Sequence, residues 1–108
     1  MKKEYYVYIL YSEHQKKTYV GHTNDLLRRI FEHNTGKVKT TKKYKPLKLI
    51  YKEKYHTRDE VRAREVNFKT STGRKKIKKI LINAEMAELV DLLRLAWQSG
   101  ARRAHWTQ

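Results

Sequence analysis

The sequence predicts a mixed α/β fold of the α+β kind: one domain within 108 residues, followed by an extra C-terminal helix. Three observations carry this. Short runs rich in tyrosine and branched apolar residues fit strands. Amphipathic segments between and after them fit helices. The last quarter of the chain then changes composition.

The elements follow in order. Residues 5–11, YYVYILY, form a run of the kind that strands favour. Residues 18–20, TYV, form a second run ending at Gly21, and the polar stretch 12–17 fits a hairpin connection. Residues 24–34 read as a helix: Thr23 or Asn24 can cap it, Leu26, Leu27, Ile30 and Phe31 give an apolar face, and Gly36 stops it. A basic loop, KVKTTKKYK at 37–45, ends at Pro46, and LKLIYKEKY at 47–55 alternates as a third strand. TRDE at 57–60 is a capping box, with the Thr57 hydroxyl and the Glu60 carboxylate each placed to satisfy an orphan amide. Its helix should run to about Lys69. Ser71 or Thr72 starts another through GRKKIKKILI, with Ile77, Ile80 and Leu81 on one side.

Residues 84–108 carry three basic and three acidic residues, so the whole net charge of +15 resides in residues 1–83. The expected organisation is a domain over 1–83 and a helical extension over 84–108, which holds both tryptophans, Trp97 and Trp106. Met86, Leu89, Val90, Leu93 and Trp97 share one face of a helix expected over about 85–98. An exposed apolar stripe is a liability, so this face should be covered by its own domain or by a second copy, making a homodimer. AEMAELVDLL is also similar to tails that arise when a bacterial reading frame runs on into a neighbouring RNA gene.

The charge narrows the partner. A field of +15 on this length attracts polyanions, and nucleic acid is the commonest polyanion in a cell. The basic residues are spread over several segments rather than gathered on one amphipathic helix, which argues against a membrane partner. With no cysteine, neither a disulfide nor a thiolate zinc site can form. The apolar run in MKKEYYVYILYSEHQKK is short and followed by charge, so it reads as a strand rather than a signal peptide. No run is long enough to span a bilayer. The expected location is cytoplasmic.

One stretch carries chemistry: TYVGHTNDLLRRIFEHNTG, residues 18–36. Tyr19 ends a strand, and Arg29 and His33 lie one helical turn apart on one face. Tyr8 on the first strand shares a sheet face with Tyr19 if the hairpin register allows. Such groups could surround one anion. A site that cleaves a phosphodiester needs an arginine to neutralise growing phosphate charge. It needs a tyrosine or histidine to take a proton from water, and a carboxylate to hold a hard divalent metal. Each residue also has a plain reading. Tyr8 and Tyr19 suit strands, Arg29 and His33 suit a solvated helix face, and Glu65 can pair with Arg62, Arg64 or Lys69 on its helix. The constellation, not any single member, argues for a site.

In this ordered set the chain resembles the GIY-YIG nuclease superfamily, in its small stand-alone, UPF0213-like form. YVY at 6–8 stands in for the first motif and YVG at 19–21 for the second, followed by the RRIFEHN and REVNFK helices. The resemblance covers roughly residues 4–83. It implies a three-stranded antiparallel sheet flanked by helices and a metal-dependent, DNA-cleaving endonuclease. It implies Tyr8 as general base or water-positioning group, Tyr19 as a group ordering nucleophile and phosphate, and Arg29 as the phosphate clamp. His33 matches a histidine one turn later, and Glu65 the carboxylate for a single Mg²⁺ or Mn²⁺. Tyr6 takes the place of the first motif's glycine, and neither Asn67 nor Asn83 matches the asparagine that larger members carry after the glutamate. Lys37, Lys39, Lys42, Lys43, Lys45, Arg74, Lys75 and Lys76 are expected to meet phosphates. With no separate recognition domain, selectivity for nucleic-acid structure is expected over selectivity for sequence. The alternative is a nucleic-acid binding module that keeps the fold without turnover. A structural basic protein of a ribonucleoprotein would leave the five residues unexplained.

Overall fold

The computed structural model describes residues 3–97. Strands β1 (Tyr5–Ser12) and β2 (Lys17–Thr23) form the hairpin, α1 (Leu26–Asn34) follows, and a 3-10 turn at Lys42–Tyr44 leads to β3 (Lys48–Tyr55). Helices α2 (Arg58–Phe68) and α3 (Ser71–Ala96) complete the chain. The sheet is antiparallel in the order β2-β1-β3.

The central strand explains the layering. β1 is buried almost throughout, and its side chains alternate between two cores. Tyr5, Val7 and Ile9 pack with Val20, Val61, Phe68 and Ile77, under α2 and α3. Tyr8 and Leu10 pack with Leu47, Tyr19, Leu26 and Ile30, under α1. The register pairs Tyr8 with Gly21 and Leu10 with Tyr19. Tyr8 and Tyr19 therefore share the face that α1 covers.

Local details differ from expectation for physical reasons. α1 is capped by Asp25, whose carboxylate accepts from the Arg28 amide (3.2 Å). Neither Thr23 nor Asn24 takes this role, because the ladder holds β2 as far as Thr23, opposite Tyr6. α1 ends at Asn34, followed by Gly36 at φ +81°, a left-handed geometry that suits glycine. The capping box of α2 is half formed. The Thr57 hydroxyl accepts from the Glu60 amide (3.2 Å), but the Glu60 carboxylate accepts from that hydroxyl (2.9 Å) and not from the Thr57 amide.

The largest departure is α3. The two helices expected at 71–83 and 85–98 are one helix of 26 residues, about 39 Å long at 1.5 Å per residue. No glycine or proline interrupts it between Gly73 and Ala96, so nothing stops propagation. The expected boundary at 83/84 therefore lies inside a helix. Ile77 sits in the core and Ile80 packs against it. Beyond them Met86, Leu89, Val90 and Leu93 stand 47–61% exposed, so the described residues leave the apolar stripe uncovered. Lys48 ties the helix back by pairing with Glu88 and, on the hairpin turn, with Glu13. Trp106 lies outside the described residues. Among those residues no helix is long and apolar enough to cross a membrane.

Candidate active site

The strand-turn-helix segment does bring its residues together. Gly21 makes this possible: a Cβ there would stand 2.5 Å from the Tyr8 hydroxyl and 3.0 Å from the Tyr19 ring. The two phenols close over the missing side chain, with ring centroids 6.3 Å apart. α1 then lowers His33 onto both, at 5.7 Å from the Tyr8 ring and 5.0 Å from the Tyr19 ring.

The inner part of the site is a hydrogen-bonded chain. Tyr8 is 1% exposed and His33 fully buried. The Tyr8 hydroxyl meets His33 Nε2 at 2.9 Å, and His33 Nδ1 meets Thr41 Oγ1 at 2.7 Å. Burial pushes the Tyr8 phenol up to about 12, against the neighbouring Arg29 guanidinium, which favours the ionised form. Burial, and then the Arg29 charge, hold His33 below its ordinary value. His33 is therefore neutral at pH 7, with one ring nitrogen accepting and the other donating.

The outer part carries charge. Arg29 is half-buried, and its NH1 donates to Glu32 at 3.1 Å. Burial disfavours its charge, but the Tyr8 hydroxyl and Glu32 outweigh this and raise it. Glu65 reaches the site from α2, and its charge is among those that raise Tyr8. It pairs with none of the arginines near it in sequence. Oε1 lies 3.3 Å from His22 Nδ1 and Oε2 lies 3.9 Å from Lys69 Nζ, while Arg64 is committed to Glu53.

β2 is an edge strand, so groups from both sheet faces reach one rim. His22 pairs with Val7 and so points to the α2 side. A cleft of about 250 Å³ is nonetheless lined by His22, by Arg28, Arg29 and Glu32 of α1, and by Arg58 of α2. A second cleft, about 330 Å³, is lined by Tyr19, Lys69 and Arg74 among others. Arg74 therefore borders the site, while Lys75 and Lys76 are exposed further along α3. In the basic loop Lys37, Lys39, Lys42, Lys43 and Lys45 are exposed, and Lys37 and Lys43 lie over the rings of Phe31 and Tyr44. Tyr6, in the place of the motif glycine, turns its hydroxyl to Glu4 (2.9 Å).

Sequence reasoning missed four contributors. Thr41 sits in a loop that looks merely basic, and no periodicity marks it. His22 follows the motif glycine but faces the opposite way from Tyr19. Arg28 and Arg58 read as ordinary solvated helix charges.

Comparison with known proteins shows the family of the chain. The family model of the GIY-YIG catalytic domain matches residues 4–78. A UPF0213 protein of Limosilactobacillus reuteri is 38% identical over 96 residues, covering 86% of this chain and 94% of that protein. Another, from Bacillus pumilus, is 40% identical over 76 residues, covering 69% of this chain and 76% of its own. A solved structure, that of the UPF0213 protein BH0048 from Bacillus halodurans, is 30% identical and covers 75% of this chain and 86% of that one, at a TM-score of 0.46. The GIY-YIG family includes nucleases and acts on nucleic acid. The chain belongs to the GIY-YIG catalytic-domain family.

Proposed function

We propose that the protein is a divalent-metal-dependent endonuclease that hydrolyses phosphodiester bonds in DNA and selects by structure rather than by sequence. One observation carries this reading: a buried tyrosine–histidine pair, an arginine and an under-engaged carboxylate meet at one basic rim.

In this reading Arg29 binds the scissile phosphate and stabilises the charge that grows on it. Its part-buried contact with Glu32 is one that a phosphate can displace. Tyr19, only half-buried, orders the attacking water at the rim. Tyr8 is held near 12 and stays protonated at neutral pH. It can accept a proton from water only by passing its own to His33. His33 is neutral and 2.9 Å away, and after protonation it donates to both Tyr8 and Thr41. Among the described residues no group of three acidic or histidine side chains could hold a metal. Glu65 still fits one, because Mg²⁺ binds through one or two carboxylates and keeps several waters. Its two neighbours leave oxygen lone pairs free. When bound, Mg²⁺ or Mn²⁺ would supply charge stabilisation at the leaving oxygen.

The burial of Tyr8 and the Arg29–Glu32 pair favour a second reading, a binding module without turnover. A cleavage screen separates them: duplex, branched and single-stranded DNA and RNA, with Mg²⁺ and Mn²⁺, beside Glu65→Ala and Tyr8→Phe. The enzyme reading expects metal-dependent cutting that Glu65→Ala abolishes while affinity is kept. It expects Tyr8→Phe to cost about 10²–10⁴ in rate. Binding without cutting under every condition supports the module. A second copy of the chain is proposed to cover the stripe on α3, with the cytoplasm as its location. Deleting 84–108 should then change the mass in solution and leave the site intact.

A further inference from the structure

Glu65 has an unusual neighbour, His22, on another element. Nδ1 of His22 stands 3.3 Å from Glu65 Oε1, a contact made across 43 residues of sequence. As a hydrogen bond it is long. As a ligand pair the spacing suits a metal: two donor atoms about 2.1–2.2 Å from an octahedral ion and at right angles are about 3 Å apart. Both side chains face solvent in part, 35% and 20%, and the neighbouring cleft of about 250 Å³ has room for waters. Arg28, Arg29 and Arg58 line that cleft and oppose a free cation, which makes a second ligand beside the carboxylate the more needed.

We infer that His22 and Glu65 together form the metal site, with His22 Nδ1 as a direct ligand. The inference rests on the reading of Glu65 as the metal carboxylate. Without metal, His22 Nδ1–H donates to Glu65. With the ring hydrogen on Nε2 instead, Nδ1 and Oε1 would each present a lone pair to the ion. A carboxylate with waters suits Mg²⁺; an added imidazole shifts preference towards ions that accept nitrogen, with Mn²⁺ weakly and Co²⁺ and Ni²⁺ more strongly favoured. His22 would then set which metal the protein holds.

The test is titration of the full chain with Mn²⁺, Co²⁺ and Mg²⁺ alone, by calorimetry, together with pulsed EPR of the Mn²⁺ form. The variants are His22→Ala, His22→Gln and Glu65→Gln. Wild type should bind Co²⁺ and Mn²⁺ more tightly than Mg²⁺ and show imidazole nitrogen modulation. His22→Ala should lose about tenfold or more in Co²⁺ affinity, lose the modulation and change Mg²⁺ affinity little. Gln keeps a hydrogen-bond donor for Glu65 but brings no ring nitrogen. A return of Co²⁺ affinity in His22→Gln would make His22 a mere orienting group and overturn the inference. Unchanged metal affinities in His22→Ala, with loss in Glu65→Gln, would overturn it and spare the reading of Glu65. Equal binding by wild type and Glu65→Gln would overturn both.

Discussion

Glu53 and Glu65 are nearly equal in exposure, 17% and 20% of the side chain, yet their surroundings are opposite. Glu53 on β3 is saturated. Arg64 donates from Nε at 2.8 Å and from NH2 at 3.1 Å, Tyr55 donates at 2.7 Å, and Tyr51 donates as well. Burial pushes this carboxyl up, but Arg64 and the two hydroxyls overcome it and hold it down at about 2. Glu65 on α2 has only a long contact to His22 and a distant lysine. A filled carboxylate locks strand to helix. An under-filled one, beside a tyrosine–histidine pair, is open to a ligand.

The contrast can be broken by neutralising each carboxylate in turn. The largest effect expected is on cleavage by Glu65→Gln, a loss of about 10²–10³ in rate, as for other electrostatic stabilisers of a transition state. Its melting temperature should not change. Cleavage at the wild-type rate would remove Glu65 from the chemistry and erase the distinction.

Glu53→Gln should do the reverse. Its donors would lose a charged acceptor, costing about 1–3 kcal/mol. Each kcal/mol lowers the melting temperature by roughly 4–8 °C in a domain of this size. Cleavage measured well below the transition should persist. A stable but inactive Glu53→Gln would mean that the Arg64 network also serves the site.

Acid sharpens the same point. The folded Glu53 carboxyl lies near 2, below its ordinary value of 4.5. The unfolded chain binds the proton first, so the stabilisation is complete above about pH 5 and fades as the pH falls towards 2. The gap in urea midpoint between wild type and Glu53→Gln should therefore narrow over that window. A constant gap would show that the network acts through packing instead.

The smallest effect should be on DNA binding, to which neither carboxylate contributes attraction. Both variants should keep a salt slope of about −5, the value for six neutralised phosphates at roughly 0.9 each on duplex DNA. Affinity should rise slightly as a negative charge is lost. Salt-independent binding would remove the basic loop and Arg74 from the interface.

Much of the site was legible because its signals are local. Arg29 and His33 are four residues apart in a helix, Tyr19 and Gly21 are two apart in a strand, and both periods follow from backbone geometry. The Tyr8–Tyr19 face required one further assumption, the hairpin register, and the pairing of Tyr8 with Gly21 meets it. Glu53 was invisible as anything but an alternating polar residue in LKLIYKEKY. Its three donors come from two positions on its own strand and one on a helix, and only docking of α2 joins them. The helix expected in the tail is present as the second half of α3, but no local signal separates one long helix from two, and spacing marks an apolar face without saying what covers it.

By itself the sequence determined the order of elements as far as α2, the charge, the turn glycine and the helix that carries Arg29 and His33. These depend on side-chain periodicity, backbone freedom at glycine and simple charge counting, all readable within about ten residues. Tertiary structure alone decided the burial that holds Tyr8 near 12 and His33 neutral, and the anchoring of His33 by Thr41. It also decided which glutamate is saturated and which is left open beside His22. Those properties belong to contacts between groups distant in the chain, where desolvation and the number of hydrogen-bond donors set the chemistry.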